Sequence, residues 1–163
     1  MRKSWLAAMA FICLSSPALA ADPTGDWLVA DKTAAIRIAP CGDALCGHIV
    51  WTKGPAGTDK NNPDPAKRNR SVIGLPILLS MKPVAANRWE GEIYHAQEGK
   101  IYSGNISLAS DNVLRIEGCV LGFLCGGQDW SRTKCDEAPA APAGGRTAPT
   151  TPASPTSCRA VAP

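Results

Sequence analysis

Hydrophobic and polar residues alternate along several short stretches of this chain, including residues 35–39, 47–52 and 88–94. Turn-forming residues interrupt the alternation at short intervals, and a helical period is hard to find between Gly25 and Arg132. Alternation of this kind is typical of strands with one buried face. The pattern therefore predicts an all-β domain built from consecutive antiparallel hairpins.

The predicted strands cover residues 27–30, 35–39, 47–52, 88–94, 100–108, 113–118 and 128–134. A further apolar run, residues 76–81, fits either a strand or a short helical turn. Seven or eight antiparallel strands leave exposed edges unless the sheet closes on itself. We therefore predict an up-and-down β-barrel of seven or eight strands. A two-sheet sandwich is the alternative that turn spacing alone does not exclude.

The two strands that flank the Glu98-Gly99 turn share an apolar face. Its members are Trp89, Ile93, Tyr102, Ile106 and Leu108. An eight-stranded barrel encloses just enough room for one small ligand, so this face is predicted to line either a ligand site or a filled core. Glycines at positions 91, 104 and 118 fit the strong bending that barrel closure requires.

Residues 1–20 have the layout of a secretory signal peptide, with Arg2 and Lys3 before an apolar stretch and Ala18-Leu19-Ala20 at its end. The apolar stretch, residues 5–14, is about half as long as the roughly twenty residues of a membrane-spanning helix. Cleavage after Ala20 is expected, which predicts a periplasmic or secreted protein without a transmembrane segment. A lipid anchor at Cys13 is disfavoured, because Ile12 stands where that signal needs a small residue.

The composition of the chain after the signal peptide indicates the domain boundaries and the net charge. Residues 137–163 consist mostly of Ala, Pro, Thr, Ser and Gly, which bury too little apolar surface to offset the entropy of ordering. We predict a barrel domain at residues 21–136 and a disordered tail that is a spacer, an envelope tether or dispensable. Without Arg2 and Lys3, 15 of the 17 basic residues remain against 14 acidic ones, a balance that disfavours nucleic-acid binding.

Six of the seven cysteines remain once Cys13 leaves with the signal peptide, and an even number in an exported chain indicates disulfides. Six cysteines allow fifteen connectivities. Short loops favour Cys41 with Cys46 and Cys119 with Cys125, which leaves Cys135 and Cys158 to tie the tail to the barrel. A zinc site is the alternative, but the five residues between Cys119 and Cys125 and an oxidising compartment disfavour it, so no metal is expected.

The long polar loop of residues 53–70 is the best candidate for a binding site outside the strands. It carries Asp59, Asn62, Asp64, Arg68 and Arg70, and loops of this length in compact domains are often functional. Ligand contact competes here with Asx turns and Asp to Arg pairs that only make the loop rigid. A calcium loop is disfavoured, because Pro63 occupies a ligand position and no distal glutamate follows.

No catalytic motif is recognisable in the chain, which has neither a Ser/His/Asp order nor a phosphate-binding glycine loop. With two histidines, the options for acid–base catalysis near neutral pH are few. We lean towards a protein without enzymatic activity, with no catalytic residue and no cofactor.

An ordered set of motifs resembles one bacterial family, the family catalogued as domain of unknown function 2147. The motifs are Gly25-x-Trp27, Asp59 with Asn62-Pro63-Asp64 and Arg68-x-Arg70, Gly74-Leu75-Pro76, Tyr94 with Gly99-Lys100-x-Tyr102, and Trp130-x-Arg132. The resemblance implies a lipocalin-like barrel in the cell envelope with no established enzymatic activity. It also implies that Trp27 and Arg132 stack at the closed end, with Trp130 as a second structural residue. The chain departs from the family at His95-Ala96, where Asp-Pro is usual.

Two functions follow from these observations. The first is a carrier that holds a small apolar or amphipathic ligand in the barrel, with residues 59–70 at the mouth. Its candidate contacts inside and near the barrel are Trp89, Ile93, Tyr94, Tyr102 and Ile106. The second is a structural or interaction protein with a filled barrel, whose loops or tail bind an envelope partner. The sequence leaves the ligand, the partner and the oligomeric state open.

Overall fold

The computed structural model describes residues 21–120, 124–136 and 157–160. This part of the chain contains nine strands and one 3₁₀ turn, Pro65–Lys67. The strands are β1 Gly25–Leu28, β2 Ala34–Cys41, β3 Ala44–Thr52, β4 Pro76–Ala85, β5 Arg88–His95, β6 Lys100–Ser110, β7 Val113–Val120, β8 Leu124–Cys135 and β9 Cys158–Ala160. The predicted signal peptide lies outside the described residues. No helix among them is long and apolar enough to cross a membrane.

Strands β1 to β8 form a closed antiparallel barrel. Each strand pairs with the next one along the chain, and β1 also pairs with β8, where Trp27 lies opposite Arg132. Closure leaves neither β1 nor β8 as a free edge. The predicted up-and-down barrel is therefore confirmed, and the two-sheet sandwich is wrong.

The apolar run that fitted either a strand or a helical turn is the first part of β4. The strand bulges between Leu79 and Lys82, where Ser80 has a φ of 50°. Gly91 permits this bulge to lie close to β5, because a Cβ at position 91 would be only 2.6 Å from the carbonyl oxygen of Leu79. Gly91 is paired with Gly104, which is paired with Gly118. The three glycines thus cross β5, β6 and β7 at one level of the barrel.

The end of the barrel at which β1 begins is filled with side chains. Its fully buried apolar residues include Trp27, Ile38, Leu78, Met81, Ile106 and Leu114. The guanidinium of Arg132 lies 4.2 Å from the centroid of the Trp27 ring and donates hydrogen bonds to the carbonyls of Asp22, Thr24 and Asp111. The implied stack of Trp27 and Arg132 is therefore present, and it closes this end.

Disulfides hold the hairpin ends and the tail. Among the described residues the structure joins Cys41 with Cys46 and Cys119 with Cys125, the pairs that short loops favoured, and Cys135 with Cys158, the pair that was left. These bridges indicate an oxidising compartment outside the cytoplasm.

The short strand β9 corrects the prediction of a disordered tail at Cys158–Ala160. The third disulfide holds these residues against the end of β8, where Thr133 Oγ1 donates to the carbonyl of Arg159 at 2.6 Å. A covalent link and backbone pairing here supply the ordering that the composition of the tail does not. Apart from Ser157, the rest of the predicted tail lies outside the described residues.

Candidate functional site

The open end of the barrel contains a cavity of about 180 Å³. Its apolar wall includes isoleucines on five strands, Ile36, Ile49, Ile77, Ile93 and Ile116. Ile36 and Ile49 are direct cross-strand partners on β2 and β3. The isoleucines occupy less volume than the tryptophan and methionine that fill the closed end. Space therefore remains between the isoleucines.

Polar and exposed residues surround the opening of the cavity. They are Asp31 and Thr33 in the turn after β1, Gln97 in the turn after β5, and Gln128 on β8. Hydrogen bonds from the Thr33 side chain and backbone hold the pKa of Asp31 below its ordinary value. No lysine or arginine of the described residues lines the cavity. The rim therefore suits uncharged polar groups better than anions.

Trp130 lies at the inner end of the cavity. It is 3% exposed, it is the cross-strand partner of the fully buried Leu114, and it lines the cavity. Its indole Nε1 has no hydrogen-bond partner among the residues that the structure describes. Buried donors are nearly always paired, because an unpaired one loses its hydration without compensation.

The loop between β3 and β4 is organised around the carboxylate of Asp59, which is 1% exposed. Tyr94 Oη donates to Oδ1 at 2.7 Å, while Asn62 Nδ2 and Arg70 Nη2 donate to Oδ2 at 2.7 and 2.9 Å. Burial opposes the charge of Asp59, but these donors outweigh burial and hold its pKa below the ordinary value. Burial, together with Asp59, raises the pKa of Tyr94.

The other predicted loop residues extend the same network. Asn62 Oδ1 accepts from the backbone N–H of Asp64 at 2.9 Å, and Arg68 Nε donates to the carbonyl of Asn62 at 2.8 Å. Asp64 Oδ1 caps the 3₁₀ turn by accepting from the N–H of Ala66 at 3.0 Å. The structure therefore brings all five predicted loop residues together, and their polar groups are bound to one another.

The loop lies against the outer wall of the barrel, beside its mouth. Tyr94 links the loop to the cavity, because its side chain is among the residues that line the cavity while its hydroxyl donates to Asp59 in the loop. Asn61 Nδ2 also donates to the carbonyl of Gln97 at 2.7 Å. None of the residues 53–75 lines the interior cavity. A separate groove of about 380 Å³ adjoins the loop, between Asp64, Arg70 and Ile101.

Comparison with known proteins agrees with this geometry. A family model described as an uncharacterized protein conserved in bacteria (DUF2147) matches residues 25–132. The chain belongs to this family. A solved structure titled "Protein HP1028 from the human pathogen Helicobacter pylori belongs to the lipocalin family" is similar, with a TM-score of 0.63 and 20% identity over 68% of this chain and 82% of that one. No curated protein matches. The structural similarity shows that this DUF2147 protein has a lipocalin fold.

Only some of the residues predicted to line the interior of this DUF2147 barrel contact the cavity. Ile93 and Tyr94 line the cavity, whereas Trp89 and Ile106 are buried in the hydrophobic core and are not part of the lining. Tyr102 does not line it either, and donates its hydroxyl to Glu98 Oε2 at 2.5 Å. That hydrogen bond lowers the pKa of Glu98 and raises the pKa of Tyr102.

Sequence reasoning missed Ile36, Ile49, Ile116 and Gln128 as lining residues of the DUF2147 cavity. Each occupies an alternating position on a strand, which was the available signal. Alternation shows the face of a strand, but it does not show at which level the closed barrel stays hollow. In the described part of the chain, no three His, Cys, Asp or Glu side chains are arranged to hold a metal ion.

Proposed function

We propose that this DUF2147 protein is a carrier, exported to the periplasm or secreted, that binds one small apolar or amphipathic molecule in the open-end cavity. The observation that carries the proposal is the cavity itself, with an isoleucine wall inside and a polar rim outside. Pockets of this composition bind ligands by burying apolar surface and orienting them with a few polar groups. The oxidising compartment that the disulfides indicate supports an exported protein.

The walls of the cavity are rigid enough to be formed before a ligand arrives. Its isoleucines lie on paired strands of a closed sheet, and Cys119 with Cys125 bridges β7 and β8 near the opening. A preformed site saves the free energy of ordering side chains on binding. Each buried methylene group of a ligand contributes about 0.8 kcal/mol, so even a small apolar molecule has measurable affinity.

The second candidate is a structural or interaction protein with a filled barrel. The packed closed end favours it, and the cavity is smaller than the roughly 300–1,000 Å³ of sites for drug-sized ligands. In that case the loops or the tail would bind a partner in the envelope.

A cavity-filling variant separates the two candidates. Ile116→Trp places a large ring where Ile116 lines the cavity, whereas Val84→Trp changes a side chain that is 53% exposed. Titration with isopropylbenzene, followed by tryptophan fluorescence, is expected to saturate at one equivalent for the wild type and Val84→Trp. Ile116→Trp should lose binding while keeping its circular dichroism spectrum. Absence of binding to the wild type, or equal binding by Ile116→Trp, would contradict the carrier.

Native mass spectrometry of protein purified from its own host complements the titration. A retained small molecule, present in the wild type and absent from Ile116→Trp, would appear directly as added mass. A retained molecule of equal mass in both proteins would place its site outside the cavity and contradict the proposal.

A further inference from the structure

Two buried polar side-chain atoms lack hydrogen-bond partners in the described part of the chain, Asn105 Oδ1 and Trp130 Nε1. Asn105 is the partner of Glu90 and Glu117 on the outer face of the sheet, so it has no access to the barrel interior. Trp130 faces inwards and lines the cavity. The other tryptophan at this level of burial, Trp27, donates its Nε1 to the carbonyl of Pro23 at 2.8 Å. Of the two orphaned atoms, only Trp130 Nε1 belongs to a side chain that lines the cavity. Less than 1 Å² of this atom is accessible, so the indole must turn slightly for Nε1 to reach an acceptor in the cavity.

The chemistry of indole defines the missing partner. The indole nitrogen donates one hydrogen bond and accepts none, so its partner must carry an acceptor oxygen or nitrogen. Trp130 lies deeper than Gln128, the next inward position on β8, which is exposed. The acceptor of a ligand must therefore reach the inner end of the cavity and not its rim.

The charges near Trp130 exclude an ionised acceptor. No described lysine or arginine lines the cavity, and His95, which does line it, lies with its Nδ1 3.5 Å from the carboxylate of Glu98. Arg132, the closest inward cation along β8, donates to three backbone carbonyls at the closed end. A carboxylate at this depth would exchange its hydration for a single N–H donor, which is strongly unfavourable. An uncharged carbonyl loses much less hydration and is satisfied by one strong donor.

The volume of the cavity limits the size of the ligand. An apolar cavity of about 150 Å³ in an engineered protein accommodates benzene, and the present cavity is about 180 Å³. A single ring with a short substituent, or a chain of similar size, fits this space. Long fatty acids and large macrocycles exceed it.

From these four observations we propose that the cavity binds a small, uncharged, largely apolar carbonyl compound, a ketone, ester, lactone or amide, whose oxygen accepts a hydrogen bond from Trp130 Nε1. This inference rests on the proposed carrier function and adds the class of ligand and its orientation. The carbonyl points towards the closed end, and the apolar part of the ligand contacts Ile36, Ile49 and Ile116.

The test compares acetophenone with isopropylbenzene, which has nearly the same shape but no acceptor. Trp130→Phe removes the donor and keeps an aromatic ring, and Trp51→Phe is the matched control at a position outside the cavity lining. We expect Trp130→Phe to lower the affinity for acetophenone relative to isopropylbenzene by about 3- to 10-fold, the usual net effect of one neutral hydrogen bond. Trp51→Phe should leave this ratio unchanged. Using the ratio cancels the change in cavity volume.

A second measurement needs no variant. In the ¹H–¹⁵N spectrum of the wild type, the indole signal of Trp130 should shift on adding acetophenone and shift much less on adding isopropylbenzene. Benzoate should bind more weakly than acetophenone, and tighter binding of benzoate would overturn the claim of an uncharged ligand.

The outcomes distinguish this inference from the proposed function. If neither acetophenone nor isopropylbenzene binds the wild type, the carrier function itself fails. If both bind, Trp130→Phe leaves the ratio unchanged and the indole signal shifts equally with both, the carrier function stands and the role of Trp130 is wrong.

Discussion

At the scale of single residues, the buried carboxylate of Asp59 is a charged group that has lost its hydration. A buried charge is tolerated only when hydrogen bonds replace its hydration, and Asp59 receives donors from Tyr94, Asn62 and Arg70. Arg70 keeps a 38% exposed side chain, so its own desolvation is small. The network therefore stabilises the loop mainly by satisfying one anion.

Removing the charge tests this network. We expect Asp59→Asn to lower the free energy of unfolding by about 2–4 kcal/mol, because Arg70 loses its partner and one carboxylate acceptor becomes a donor. Tyr94→Phe, which removes one donor and keeps the ring, should cost about 1–2 kcal/mol. Urea denaturation measures both. Asp43→Asn, at an exposed turn, is the control and should show no measurable change. Wild-type stability of Asp59→Asn would contradict the structural role of the network.

At the scale of elements, the position of the loop depends on its contact with the β5–β6 turn. Gly99 in this turn has a φ of 66°, and a Cβ at Gly99 would overlap the carbonyl oxygen of Asn61. Gly42, in the β2–β3 turn, has a φ of 69° but open space around the position of a Cβ. The two glycines therefore share a backbone conformation and differ only in whether another element packs against them.

The pair Gly99→Ala and Gly42→Ala separates these two effects. Gly42→Ala should cost about 1–2 kcal/mol, the strain of a left-handed alanine. Gly99→Ala should cost more, because the loop must also move away from the turn. Hydrogen exchange of the Asn62 amide, which donates to the carbonyl of Asp59 at 3.0 Å, should accelerate in Gly99→Ala and stay unchanged in Gly42→Ala. Equal exchange in both variants would show that the contact does not hold the loop.

At the scale of the whole molecule, several carboxylates together set how the stability of the protein depends on pH. Hydrogen bonds hold the pKa of four exposed or half-buried carboxyl groups below ordinary values, with donors Thr24, Thr33, Ala66 and Tyr102 to Asp22, Asp31, Asp64 and Glu98 respectively. Burial opposes the charge of Asp59, but hydrogen bonds hold its pKa below the ordinary value as well. A group with a lowered folded-state pKa stabilises the protein above its unfolded-state pKa and loses this effect as pH falls through the folded-state value.

The free energy of unfolding should therefore be highest near neutral pH. It should decrease modestly as the pH falls through the ordinary histidine range, because burial holds the pKa of His48 below its ordinary value. It should decrease more steeply below about pH 4, the ordinary range of carboxyl pKa values. Asp59→Asn lacks the contribution of one buried carboxylate, so the stability difference between it and the wild type should shrink in the same acidic range. Urea denaturation between pH 7 and pH 2.5 measures this difference. A gap that stays constant or widens on acidification would show that the pKa of Asp59 is not lowered by folding.

Much of the barrel was predictable because strand alternation and turn chemistry are local. Trp89, Gly91 and Ile93 share the inward face, as expected, and Trp27 meets Arg132 at the closed end. The length of β4 was not predictable, since its second half carries Lys82, Pro83 and exposed residues and is a strand only because β5 pairs with it. The ligand-contact role of Asp59, Asn62, Asp64, Arg68 and Arg70 stays a prediction, although the structure shows their polar groups engaged with one another.

The sequence by itself determined the class of fold, the strand order, the favoured cysteine pairs and the family, because each depends on neighbouring residues or on motifs in a fixed order. Only the tertiary structure decided that the barrel is packed at one end and hollow at the other, that the loop lies on the outer wall, and that Trp130 lacks a partner. These features depend on which side chains meet at one level of a closed sheet. Such meetings bring together residues as distant in sequence as Ile36 and Ile116, which line one cavity, and no local pattern records them.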